Sequence, residues 1–139
     1  MVIWITGLSG AGKTTISTGL YRRIKERRNN VVLLDGDIIR DILDDHSHGL
    51  EDRRRLAFVY SRLCEELSRQ GLVVVCATVS MFDEVRARNR TQVDDYFEVY
   101  VEVPIDTLIQ RDQKGIYSRA AREENGNVVG FDQQIEVPK

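Results

Sequence analysis

A lysine and a hydroxyl standing directly behind closely spaced glycines can hold a polyphosphate. In Gly7-Leu8-Ser9-Gly10-Ala11-Gly12-Lys13-Thr14 these residues match the spacing G-x-x-x-x-G-K-[ST] at every fixed position. The chemistry needs that spacing because backbone N–H groups must turn inward around phosphate oxygens, and a side chain in place of the glycines would block the approach. Lys13 then supplies a compact positive charge for the outer phosphates, and Thr14 offers its hydroxyl to a magnesium ion. The helix expected from Thr15 onward adds its N-terminal dipole beneath the anion.

A second cluster, Asp35-Gly36-Asp37 with Arg40 three residues on, follows the next apolar run. In open parallel sheets ligands gather at the carboxyl ends of strands, where this cluster falls. Either aspartate can hold magnesium, and one can orient or deprotonate a hydroxyl that attacks a γ-phosphorus. Arg40 can clamp an anionic acceptor. The competing reading is a helix N-cap with a surface ion pair, since aspartate is a favoured cap. The run ending Cys76-Ala77-Thr78-Val79-Ser80 carries no aspartate at its tip. A conventional Walker B carboxylate is therefore missing, which argues against motor and GTPase machinery and passes the magnesium to Asp35 or Asp37. Arg53, Arg54 and Arg55 open a long helical pattern, and one of them could face an anionic acceptor. His46 and His48 have no further cysteine or histidine to complete a zinc set.

The elements that must position these groups are legible as alternating patterns. Val2–Ile5, Val31–Leu34, Leu72–Thr78 and Phe97–Val103 are near-continuous apolar runs, as expected of parallel strands covered on both faces. Between them, Lys13–Arg28 repeats Ile16, Leu20 and Ile24 at every fourth residue, and Glu51–Gln70 carries Leu56, Val59, Tyr60, Leu63 and Leu67 before Gly71. Met81–Val93 is a charged and partly irregular third helix, and Ile105–Asp112 a fourth after Pro104. Strands alternating with helices predict right-handed crossovers and a three-layer α/β sandwich around a parallel sheet. From Lys114 to Lys139 charges alternate around an Asn125-Gly126-Asn127 turn and no buried helix is expected. That stretch reads either as a solvated face or as a basic lid, spanning roughly residues 111–132, that keeps water from the γ-phosphate.

Length and charge narrow the partners. The 139 residues suit one domain, and 20 basic against 22 acidic side chains give a formal charge of −2, so no global field draws in nucleic acid or an anionic membrane. Cys64 and Cys76 are too few for a disulfide framework, and a reducing cytoplasm is the default expectation. The apolar start is only about five residues long, too short for a signal peptide or a membrane span.

Set in order, these segments resemble the adenylylsulfate (APS) kinase family, whose members phosphorylate the ribose 3′-hydroxyl of adenosine 5′-phosphosulfate. The resemblance runs through GLSGAGKTT at Gly7–Thr15, LLDGDIIR at Leu33–Arg40, Asp52-Arg53, TVS at Thr78–Ser80, EVRARNR at Glu84–Arg90 and RDQKGIYSRAAR at Arg111–Arg122. It implies a P-loop kinase fold of the nucleoside-kinase type, usually dimeric, with ATP as donor and magnesium as cofactor. By the same resemblance Asp37 looks like the family's carboxylate at the acceptor hydroxyl, and Lys13 is the other catalytic group. Arg40, Arg53, Ser80 and Lys114 look like contacts to the acceptor or to the lid above it, and Arg111 joins Gly7 through Thr15 on the ATP side.

Departures from the family pattern fall on the acceptor base. Where the family commonly sandwiches adenine between two phenylalanines, this chain has His48 and Val128, and a family asparagine and arginine become Leu56 and Phe58. Each aromatic stack on a base is worth about 1–3 kcal/mol, so losing both can change the preferred base. Adenosine 5′-phosphosulfate is the leading acceptor on the resemblance. A cytidine diphosphoramidate is the alternative, and a non-catalytic ATP-binding module is the alternative from another class. The family also normally continues beyond the proline equivalent to Pro138 with a strand and a helix, so the chain reads as truncated after Lys139.

Overall fold

Four parallel strands form the middle layer: β1 (Val2–Thr6), β2 (Val31–Asp35), β3 (Val73–Thr78) and β4 (Tyr96–Tyr100), in the spatial order β2-β3-β1-β4. This arrangement is seen in a computed structural model that describes residues 1–45, 47, 49–112, 115–120, 122, 128 and 135–138. The helices are α1 (Lys13–Lys25), α2 (Gly36–Ile42), α3 (Leu50–Arg69), α4 (Asp83–Gln92), α5 (Ile105–Arg111) and α6 (Ile116–Ala120).

The strict alternation of side chains along β1 divides the core in two. Val2 and Trp4 point into a cluster with Leu56, Ala57, Tyr60 and Cys64 of α3 and Val85 of α4. Ile5 points the other way, joining Val31, Val73 and Val75 against Leu20, Tyr21 and Ile24 of α1. The result is the expected three-layer sandwich. Every residue of β3 is buried, as a central strand with helices on both faces requires. Among the described residues, no helix is long and apolar enough to cross a membrane.

Three elements differ from the sequence reading. β4 runs Tyr96–Tyr100 rather than Phe97–Val103, and its burial alternates instead of being continuous, with Phe97 and Val99 exposed. The reason is position: among the described residues β4 is an edge strand paired only with β1, and its Phe97 and Val99 share the register of Ile3 and Ile5 on the α1 side. Second, Gly36–Ile42 forms a short helix absent from the expected elements, with Asp35 as the N-cap that the competing reading allowed. Third, α6 stands in the segment read as lacking a buried helix. It is started by Asp112, whose carboxylate accepts the N–H groups of Tyr117 and Ser118 at 3.0 Å each.

Candidate functional site

The strand ends and the helices that follow them enclose one cleft of about 190 Å³ at the carboxyl edge of the sheet. One wall is the phosphate loop. Between β1 and α1 the chain turns through left-handed backbone at Gly10 (φ 79°) and Gly12 (φ 95°), which leaves Ser9, Gly10, Gly12, Lys13, Thr14 and Thr15 facing the cleft. Gly7 is needed for a different reason. It has φ 153°, and a Cβ there would lie 2.6 Å from the Val101 carbonyl oxygen, so β1 and the segment after β4 can close together only over a bare backbone.

Leu8 and Ala11 turn away from the cleft. They are buried with Leu108 of α5, Tyr117 of α6 and Val128, and this apolar cluster backs the loop from behind. Arg111 lies at a smaller hollow on that flank, next to Ser9, Gly10 and Asp112, rather than in the main cleft. Val128, the position matched to a base-stacking phenylalanine, is thus packed behind the phosphate loop and is not among the cleft's lining residues. Lys114 and His48 lie outside the described residues, as does most of the stretch read as a lid.

Opposite the loop stands the turn from β2 into α2. Asp35 uses both carboxylate oxygens: Oδ1 accepts the Asp37 N–H at 2.9 Å and caps α2, while Oδ2 accepts the Thr14 hydroxyl at 2.9 Å. Asp35 therefore caps α2 and at the same time lines the cleft, joined to Thr14 of the loop. The Lys13 ammonium donates to the Leu8 carbonyl at 2.8 Å, folding its side chain back over the loop. Asp37, Arg40 of α2 and Arg53 of α3 line the same cleft. Arg40 also donates to the Ser47 carbonyl at 2.8 Å, so one edge of its guanidinium holds the loop that follows α2. That loop is fixed again by Asp45, which accepts the Ser47 N–H and pairs with Arg55 at 2.9 Å. The Ser47 N–H, helped by Arg55 and Arg40, keeps the Asp45 carboxyl below the ordinary carboxylate value.

The floor is the end of β3. Thr78 and Ser80 share a hydrogen bond of 2.9 Å between their hydroxyls, and the Thr6 hydroxyl donates to the Ser80 carbonyl at 3.2 Å. Ser80 is buried at the cleft margin with Val79 and Phe82. The structure thus gathers Lys13, Thr14, Thr15, Asp35, Asp37, Arg40, Arg53 and Ser80 around one space and places Gly7, Leu8, Ala11 and Arg111 behind or beside it.

Sequence reasoning had missed three residues at the site. Tyr60 of α3 lines the cleft and donates its hydroxyl to the Gly36 carbonyl at 3.0 Å. Tyr117 donates to the Ser9 carbonyl at 2.8 Å. Thr78 packs against Gly36, where a Cβ would meet its hydroxyl at 3.3 Å. The one signal available beforehand was a hydroxyl on the apolar stripe of α3 at Tyr60, since buried phenols find partners.

A cradle of backbone N–H groups with a lysine, facing two carboxylates and two guanidinium groups, suits phosphoryl transfer between two anionic molecules. Comparisons with known proteins agree. The sequence model of the adenylylsulphate kinase family matches residues 1–139. Among curated relatives, a cytidine diphosphoramidate kinase of Campylobacter jejuni is 41% identical over 138 residues, covering 99% of this chain and 81% of the relative. An adenylyl-sulfate kinase of Gloeothece citriformis is 37% identical over 143 residues, covering 99% and 79%. Among solved structures, the Mycobacterium tuberculosis APS kinase in complex with AMPPNP and APS superposes with a TM-score of 0.78 at 30% identity, covering 99% of this chain and 83% of that one. These relatives transfer a phosphoryl group to a hydroxyl, and by sequence and by fold this chain belongs to the adenylylsulphate kinase family.

Proposed function

We propose that this protein transfers the γ-phosphoryl group of ATP to a ribose hydroxyl of a small nucleotide bearing an acidic or amidated phosphate. The observation that carries the proposal is the meeting of Lys13 and Thr14 with Asp35, Asp37, Arg40 and Arg53 around one cleft. The loop N–H groups and Lys13 would hold the β- and γ-phosphates and receive the charge that develops between them. Arg40 and Arg53 would neutralise the acceptor's own phosphate, which otherwise repels the donor. Asp37 would accept the proton of the acceptor hydroxyl as its oxygen bonds to the γ-phosphorus and the bond to the β-phosphate oxygen breaks, releasing ADP.

The Thr14 hydroxyl and the Asp35 carboxylate, 2.9 Å apart, form a hard-oxygen pair that fits magnesium. When bound there with ATP, magnesium would supply charge neutralisation at the phosphate oxygens.

Adenosine 5′-phosphosulfate is the acceptor that the family as a whole suggests. Two observations favour cytidine diphosphoramidate for this chain: the 41% identity to the Campylobacter jejuni kinase, and the absence from position 48 of the phenylalanine that the family pattern places against the base. The test is coupled ADP release with ATP and magnesium, offering the cytidine nucleotide, the sulfate nucleotide or no acceptor, with Lys13→Ala as the blank. Faster turnover of the cytidine nucleotide is expected. Preference for the sulfate nucleotide would overturn the choice of acceptor, and ATP binding without turnover of either would replace the kinase by a nucleotide-binding module.

A further inference from the structure

The turn that carries Asp37 is gripped from two sides by groups outside the phosphate-transfer set. From α3, the buried Tyr60 hydroxyl donates to the Gly36 carbonyl at 3.0 Å. From β3, the Ala77 carbonyl and the Thr78 hydroxyl each lie 3.3 Å from where a Gly36 Cβ would sit, so the turn rests directly on the end of that strand. Asp35 closes the third side by accepting the Asp37 N–H. The peptide unit whose carbonyl Tyr60 holds is the one that joins Gly36 to Asp37. Rotation of that unit would swing Asp37 away from Lys13 and Thr14, and the Tyr60 hydrogen bond opposes the rotation.

We infer that Tyr60 is a positioning residue for phosphoryl transfer, acting through the Gly36 carbonyl to aim the Asp37 carboxylate at the acceptor hydroxyl. The inference rests on the kinase reading given above. Although Tyr60 lines the cleft, its hydroxyl is engaged by the Gly36 carbonyl and acts through the turn, so it affects the rate of the chemical step more than the affinity for either nucleotide. The phenol suits this task because burial pushes its pKa far up, and it stays a neutral donor throughout the working pH range. Its ring keeps its place in the α3 core beside Leu56, Ala57 and Cys64 whether or not the hydroxyl is present.

Tyr60→Phe tests this directly, because it removes the donor and leaves the ring. Steady-state ADP release is measured on the full chain and on this variant in parallel, with KM for ATP and for the acceptor determined separately. The active fraction of each preparation is counted by titration with a fluorescent ATP analogue. A loss in kcat of about tenfold per binding-competent molecule, with both KM values within about twofold of wild type, is the expected result. Replacing Tyr60 by Phe with unchanged kcat per competent molecule would overturn the inference, and so would a loss confined to KM. A variant that is merely less stable shows a smaller competent fraction and an unaltered kcat, which also counts against it. A silent wild type would overturn the kinase reading itself, and the role of Tyr60 with it, whereas an active wild type beside an equally active variant would overturn the role alone.

Discussion

The Tyr117 hydroxyl reaches across the fold to donate to the Ser9 carbonyl at 2.8 Å, joining α6 to the phosphate loop over 108 residues of sequence. The Tyr117 ring is buried against Leu8, Ala11 and Leu108, while its hydroxyl reaches a part-buried position beside the loop, and loss of the bond leaves the carbonyl without that partner. A hydrogen bond of this kind contributes about 0.5–1.5 kcal/mol. Tyr117→Phe should therefore raise the KM or Kd for ATP by roughly 3- to 10-fold with kcat little changed. Isothermal titration with ATP and magnesium, alongside turnover, checks both halves of that statement.

Gly7 offers a stability test at the root of the same loop. A methyl group at Gly7 would meet the Val101 carbonyl oxygen at 2.6 Å, in a backbone region that side chains avoid. Gly7→Ala should destabilise the protein by about 1–3 kcal/mol or more, seen as a lower midpoint in urea. Gly19→Ala, in α1 with open space around its Cβ position, should be neutral or stabilising in the same assay.

Acid stability should report on Asp112. The Ser118 hydroxyl and the N–H groups of Tyr117 and Ser118 hold its carboxyl below the ordinary value of 3.8. A carboxyl whose pKa is lower in the folded than in the unfolded protein contributes stability that is fully present above the unfolded value. That stability is lost as pH falls through the folded one. Thermal scans from about pH 6 down to about pH 3 should accordingly show a steeper loss of Tm for wild type than for Asp112→Asn. Parallel curves would show that the Asp112 charge adds nothing to stability.

The cysteines give a prediction about accessibility. Cys64 and Cys76 are both buried, at 1% and 0% exposure, between β3 and α3. The Cys64 side chain and burial together push the Cys76 thiol well up, and thiolate is the reactive form. Neither should be alkylated in the folded protein at mildly alkaline pH, and both should react once urea unfolds it. Mass spectrometry counts the adducts.

Much of the site was legible in the order of residues because its chemistry is local. The phosphate loop needs glycine at Gly10 and Gly12 for left-handed backbone, lysine at Lys13 and a hydroxyl at Thr14, and those needs are written at fixed spacing. The aspartates after β2 were equally visible, since strand ends in parallel sheets meet their ligands there. What stayed hidden depends on partners distant in sequence. Tyr60 reads as one more apolar position on α3 until its hydroxyl is found 3.0 Å from the Gly36 carbonyl, and Thr78 reads as part of a strand until Gly36 is seen resting on it. Val128 matched a base-stacking position by alignment, yet it packs behind the phosphate loop with Leu8 and Leu108. The edge strand was misjudged for the same reason, because the hydrophobicity of Phe97 and Val99 says nothing about which neighbours the fold supplies.

The sequence by itself therefore determined the phosphate-binding chemistry and the alternation of strand and helix, both of which are set by interactions within a few residues. Only the tertiary structure decided which second elements hold that chemistry in place. Hydrogen bonds such as those from Tyr60 to Gly36 and from Tyr117 to Ser9 require the sheet to bring together groups that no local pattern connects.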